Sequence, residues 1–251
     1  MSVHLSCFFP SPLLYIMSQP TIAAISYTGG KDCTLALHRV KEKGVQVAVL
    51  VTFSPPSTDL NSFKAHSMEI IKQQAKALEL PHIVCIIDGP DYLASYQKQI
   101  KFLSEKYNID ALVTGDILPV CSNFMERAVE GTGVALVRPL WQHDQPSLLK
   151  EMWERQFNVI ITCINQLKVR ASVLEKVKDV YDVGKSLSQK GLDAVAANNV
   201  NISPTGEFGE LHTMVLDCPL YKTSKLVIDS EKLVDSPYVY LKIKSVELVA
   251  K

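Results

Sequence analysis

The chain predicts an α/β protein, a doubly wound parallel sheet followed by a small C-terminal α+β lobe. Three observations lead there. Apolar runs of strand length alternate with stretches of helical periodicity from residue 22 to about residue 163. Residues 45–53 form an almost unbroken apolar, β-branched run, as in a strand buried on both faces. The first apolar run stops at a hydroxyl, a glycine pair, a lysine and an aspartate, and a helical pattern follows at once.

In order, Ile22–Ser26 reads as a first strand and residues 34–43 as its helix, stopped at Gly44. Residues 45–53 are the second strand, and the Pro55-Pro56 loop follows. Residues 65–80 carry helical periodicity through Met68, Ile71, Ala75 and Leu78. Residues 82–87 make a third strand, Tyr92–Tyr107 a helix, and 111–114 a fourth strand ending in Gly115-Asp116. Stretches 123–130, 134–137, 148–156 and 159–163 continue the alternation. From about Gln166 the pattern changes to helical stretches around 172–190, an asparagine-rich loop, and late strands at 214–217, 225–228 and 238–248. This divides the chain into a leader (1–20), expected to be disordered and with Met17 as a second possible start, a nucleotide-binding domain (21–165) and a substrate lobe (166–251).

In open parallel sheets ligands sit beyond the carboxyl ends of the strands, where strand order switches. The loop after the first strand, Thr52-Phe53 after the second and Gly115-Asp116 after the fourth are therefore expected to converge. At the first of these, Gly29 and Gly30 let backbone N–H groups approach an anion, and the helix start adds its positive dipole end. Ser26 and Thr28 offer hydroxyls, Lys31 a mobile charge, and Asp32 a cap or a magnesium contact. The same residues without a ligand make a tight strand-to-helix turn. A Walker loop is excluded, because no glycine precedes Gly29 at the required spacing; a Rossmann fingerprint is excluded because the two glycines are adjacent.

Bulk properties narrow the field. The chain has 251 residues, and its 26 basic and 26 acidic side chains cancel, which disfavours a DNA or RNA partner. No apolar run approaches the roughly 18 residues that span a bilayer, so no membrane partner is expected. The six cysteines lack any C-x-x-C pair and read as thiols of a reducing compartment, the cytoplasm, with no metal site among them.

Farther along, Gly206-Glu207-Phe208-Gly209-Glu210 precedes Leu211-His212-Thr213 and an apolar strand. Two carboxylates three residues apart on a glycine-permitted loop can orient an amine, bind magnesium or act as base, and His212 can shuttle a proton near neutral pH. An exposed acidic turn is the alternative.

Thr28-Gly-Gly-Lys-Asp-Cys33 resembles the pyrophosphate loop of the N-type ATP pyrophosphatases, usually Ser-Gly-Gly-x-Asp-Ser. Taken with Thr-Gly-Asp-Ile at 114–117, Arg-Pro-Leu-Trp at 138–141, Leu-Leu-Lys-Glu-Met at 148–152 and Gly-Glu-Phe-Gly-Glu-Leu-His-Thr at 206–213, the ordered set resembles the diphthine–ammonia ligase family. Thr28 and Cys33 stand where that loop usually has serines; for the poorer hydrogen-bonding Cys33, two outcomes are open, compensation by Thr34 or loss of that contact.

The resemblance implies a Rossmann-like sheet of adenine nucleotide alpha hydrolase type and ATP as substrate with Mg2+. It implies amidation of diphthine on the translation elongation factor, with ammonium as nitrogen donor and an acyl-adenylate intermediate. Nucleotide would then be held by Ser26, Thr28, Gly29, Gly30, Lys31, Asp32, Cys33, Thr34, Thr52, Phe53, Gly115 and Asp116. Arg138, Trp141, Gly206, Glu207, Gly209, Glu210 and Thr213 would line the acceptor side, with Lys31, Asp32, Glu207, Glu210 and His212 in the chemistry. An AMP-forming amide synthetase acting on a different, small carboxylate is the alternative.

Overall fold

A computed structural model describes residues 22–56, 67–119 and 123–251. The leader assigned to residues 1–20 and the first residues of the helix expected at 65–80 lie outside the described residues.

The first sheet contains β1 (Ile22–Ser26), β2 (Gln46–Ser54), β3 (His82–Ile86), β4 (Ala111–Val113) and β5 (Ala135–Val137). All its pairs are parallel, in the order β3-β2-β1-β4-β5. Strand order reverses beside β1, so the crevice between the ends of β1 and β4 is the switch point of a doubly wound sheet.

The period of two sorts these strands between two apolar layers. Ala23, Ile25, Leu50 and Val113 face one cluster, and Ala24, Val49, Val51 and Leu112 face the other. The second layer is completed by α3 (Tyr92–Tyr107), whose Ile100 and Leu103 are fully buried, and α4 (Phe124–Val129). Asp91 caps α3 by accepting the Ala94 N–H at 2.9 Å, a contribution of about 1 kcal/mol.

The first layer holds α1 (Lys31–Glu42), α2 (Met68–Leu78) and α5 (Gln145–Glu154). Beyond it lies a second sheet: β6 (Asn158–Asn165), β7 (Leu211–Asp217), β8 (Ser224–Asp235) and β9 (Tyr238–Ala250), antiparallel in the order β7-β6-β9-β8. Helix α1 touches both β1 and β7, which explains why eight of its twelve residues are buried.

Two sequence expectations change. The sequence pattern of residues 159–163 continues the parallel alternation; β6 instead pairs antiparallel with β7 and β9. A strand buried on both faces looks the same in either sheet, and its partners β7 and β9 begin only at Leu211 and Tyr238. The helical stretch expected at 172–190 is two short helices, α6 (Ala171–Val177) and α7 (Gln189–Ala196). Between them Gly184 takes φ +84° and Ser186 bridges to Ile160, which breaks the helix.

Candidate functional site

A cavity of about 410 Å³ opens at the switch point. One wall is the turn from β1 into α1: Ser26, Thr28, Gly30, Lys31, Asp32 and Cys33. The floor is the end of β4 at Thr114-Gly115-Asp116, and the opposite wall is the stretch from Thr205 to Thr213. The three strings of residues separated in sequence thus meet in one space.

The first wall follows from local chemistry. Gly29 turns the chain at φ +77°, where a Cβ would lie 2.2 Å from the Gln74 Oε1. Gly30 then caps α1 without a side chain of its own; Thr213 Oγ1 takes the Lys31 N–H, and the positive end of the helix dipole borders the cavity. Gly115 lets β4 come against that helix start: a Cβ there would stand 2.7 Å from the Asp32 carbonyl carbon and the Cys33 nitrogen. The turn is also tied to the second sheet. The Gly29 carbonyl accepts from the Val215 N–H at 3.1 Å and from Gln74 Nε2 at 2.9 Å, and Lys31 N–H donates to Thr213 Oγ1 at 3.2 Å.

Lys31 is nearly inaccessible, and its ammonium donates to Asp32 Oδ2 at 2.7 Å and to the Thr205 carbonyl at 2.5 Å. Its charge is therefore held between the two walls. Asp32 Oδ1 is buried with no hydrogen-bond partner, an acceptor left open for a cation or donor. Burial raises the pKa of Asp116; the Thr114 hydroxyl donating to it at 2.7 Å and nearby Arg138 oppose that rise, and Glu126 and Asp32 add to it. Burial likewise raises Glu207, with Asp32 and Asp116 pushing the same way and Lys31 opposing. Three acids repelling one another across a small space favour a bound cation. Burial lowers His212, and Lys31 lowers it further, so this imidazole is neutral at pH 7. Burial raises the Cys33 thiol, which stays protonated and donates to the Gly30 carbonyl at 3.2 Å.

Several expected contacts are elsewhere. Thr34 is fully buried, donates to the Gly30 carbonyl at 2.8 Å, and faces Tyr27 rather than the cavity, so it does not stand in for the missing serine. The Thr52 hydroxyl donates to the Tyr27 carbonyl at 2.6 Å, and Phe53 packs on Tyr96 with ring centroids 4.7 Å apart. Arg138 lies 3.6 Å above the Trp141 ring and pairs with Glu126 at 2.6 Å. These four sit at the ends of β2 and β5, each one strand removed from the β1–β4 crevice.

Glu210 is the most instructive displacement. It is 4 % exposed, and its two carboxylate oxygens accept the Ser203 and Phe208 N–H groups, each at 2.9 Å. It folds the loop and does not line the cavity, whereas Glu207 does. Gly206 and Gly209, at φ +81° and +76°, supply the two turns that make this loop possible.

Sequence reasoning passed over Gln74 and Thr205. Gln74 is fully buried and donates to both Gly29 and Val215 carbonyls. Its signal was available: a lone amide on the apolar face formed by Ile70, Ile71, Ala75 and Leu78. Thr205 acts through its backbone carbonyl, which no residue type announces.

A family model described as Diphthamide synthase N-terminal domain matches residues 21–135, and one described as Diphthamide synthase C-terminal domain matches residues 144–249. The Schizosaccharomyces pombe protein named diphthine--ammonia ligase is 29% identical over 240 residues, covering 87% of this chain and 38% of that protein. The Rattus norvegicus protein of the same name is 28% identical over 254 residues, covering 89% of this chain and 91% of its own length. The Homo sapiens protein so named is 27% identical over 255 residues, with the same two coverages.

Proposed function

The chain belongs to the diphthamide synthase family, and from that premise we propose that it is an ATP-dependent ligase joining ammonium to the carboxylate of diphthine on the translation elongation factor. The observation that carries this reading is the single cavity in which a helix-start anion site and Lys31 face Glu207.

Hydroxide is a poor leaving group, so a carboxylate must be activated before ammonia can displace anything from it. A carboxylate oxygen of the acceptor attacks the α-phosphorus of ATP. The bond to the bridging oxygen breaks, and pyrophosphate leaves with the electron pair. The N–H groups at the start of α1 and the clamped Lys31 ammonium face the charge that develops on that leaving group; such fixed donors are each worth about 3–4 kcal/mol. Nitrogen then adds to the acyl carbon and AMP departs. Glu207, with Asp32 and Asp116 nearby, orients the ammonium and takes one proton from it first, freeing the lone pair that attacks; a second proton passes to solvent as the amide forms.

Among the described residues no three His, Cys, Asp or Glu side chains gather closely enough to hold a metal alone. The unpaired Asp32 Oδ1 suits magnesium that arrives on the nucleotide, which needs only one or two carboxylates besides phosphate oxygens and lowers the charge on them. No helix among the described residues is long and apolar enough to cross a membrane. The buried free thiols of Cys33, Cys85, Cys163 and Cys218 support a reducing, cytoplasmic setting.

The test supplies purified protein with ATP, magnesium, ammonium and diphthine-bearing elongation factor. The reading expects AMP, pyrophosphate and a loss of about one mass unit on the factor, as hydroxyl is exchanged for amine. Formation of ADP, or an unchanged factor, overturns it.

A further inference from the structure

Two loops and the start of β9 meet at one end of the second sheet, and each carries a large apolar side chain into solvent. Strand β6 ends where β7 and β9 begin: Ile164 lies opposite both Leu211 and Val239, and Asn165 opposite Tyr238. The junction is tied by backbone bonds, Asn165 N–H to the Glu210 carbonyl and Gln166 N–H to the Pro237 carbonyl, each within 2.9 Å. From this knot Leu167 is 77 % exposed, Phe208 65 % and Tyr238 40 %. Phe208 belongs to the very loop whose Gly206, Glu207 and Gly209 line the cavity, so the apolar patch starts at the cavity rim. Leucine and phenylalanine held open to water gain nothing for the fold, and a cluster of them marks a contact surface. Beside Leu167, Lys168 and Arg170 are exposed and join no ion pair with any described residue.

We propose that this end of the second sheet docks the protein that bears the acceptor carboxylate, a folded partner whose protruding apolar loop is flanked by acidic side chains. The proposal rests on the acceptor reading given above. Two features favour such a partner over a second copy of this chain. In a two-fold contact centred on Leu167, Lys168 and Arg170 come close to their own duplicates with only Asp235, opposite Tyr238, to offset them, whereas an acidic rim pairs with both. The patch also continues into the cavity, so a partner seated on it delivers a side chain past Glu207 to the nucleotide. A free metabolite carboxylate would use the cavity and leave the patch without effect.

The experiment measures amidation by the full chain with the diphthine-bearing elongation factor as the varied substrate. Leu167→Asp and the pair Lys168→Glu with Arg170→Glu are compared with wild type. Expected is a rise of about tenfold or more in KM for the factor in each variant, as at a contact hot spot. The kcat at saturating factor and the Kd for ATP stay at wild-type values, and the charge-reversed variant loses the wild type's sensitivity of KM to salt. An unchanged KM overturns the proposal. So does a wild-type dimer, seen by sedimentation, that Leu167→Asp dissociates. A wild type that leaves the factor untouched while still forming AMP removes the acceptor reading, and this docking assignment with it; variants that behave as wild type in an active assay remove the docking assignment alone.

Discussion

The glycine turn at 28–33 and the acidic loop at 203–213 face each other across the cavity, yet their shapes have different origins. The first is set by what its own residues permit: a positive φ at Gly29, an open helix start at Gly30, and a Thr34 hydroxyl folded back on the Gly30 carbonyl. The second is set by a buried side chain, Glu210. Glu210 gathers the Ser203 and Phe208 N–H groups, and Lys31 reaches over from the other wall to hold Thr205. An anion site built from backbone can be recognised from glycine spacing. A loop built around a carboxylate cannot, because a structural glutamate and a reactive one are the same letter.

The sharpest way to break the comparison is Lys31→Ala, since this side chain belongs to one wall and holds the other. Pyrophosphate release should fall by about 10²–10³-fold, the usual cost of one preorganised donor. Retention of more than a tenth of the wild-type rate in a pyrophosphate assay contradicts the role given to it.

Glu210→Ala addresses the second wall by itself. It leaves the buried Ser203 N–H and the part-buried Phe208 N–H without an acceptor and should cost about 2–4 kcal/mol of stability. Thermal unfolding is expected some 5–15 °C lower for a chain of this size, at roughly 2–4 °C per kcal/mol. An unchanged midpoint, with amidation alone lost, would return Glu210 to the chemistry.

A matched pair of glycines separates the two kinds of construction. Gly115→Ala drives a Cβ to 2.7 Å from backbone atoms of Asp32 and Cys33, where no flexible side chain can yield. It should cost about 1–3 kcal/mol and weaken ATP at least tenfold by calorimetric titration. Gly209→Ala meets nothing within 4 Å and bears only the strain of φ +76°, about 1 kcal/mol, so its ATP affinity should hold.

The smallest effect concerns pH. Burial holds His38, His82 and His212 below the ordinary value of 6.5. Between the native value and 6.5 the unfolded chain binds more protons, so stability rises with pH across that window and is lost on acidification through it. Replacing His212 with Gln should flatten this slope in urea titrations between about pH 5 and 7. An unaltered slope means that His212 does not differ between the folded and unfolded chain.

Much of the architecture was legible because periodicity reports burial. The alternating strands and helices of the first sheet and the end-to-end match of Tyr92–Tyr107 came from apolar spacing alone. What spacing does not encode is partnership. Thr52 and Phe53 end a strand of the right sheet but sit one position from the switch, and only strand order, a long-range property, distinguishes them from Gly115 and Asp116. The same gap hid β6 in the wrong sheet. Gln74 escaped for a different reason: its amide serves two carbonyls whose positions depend on both sheets.

That last arrangement limits how the protein can be taken apart. The oxygen of Gly29 is held from Val215 on one side and Gln74 on the other, so the glycine turn, shaped by its own residues, is fixed in place by the distal sheet as well as the proximal one. A fragment ending at residue 137 would keep every letter of the glycine motif and lose one of the two anchors that hold it in place. Grafting the motif onto a foreign scaffold would transplant its spelling without its grip.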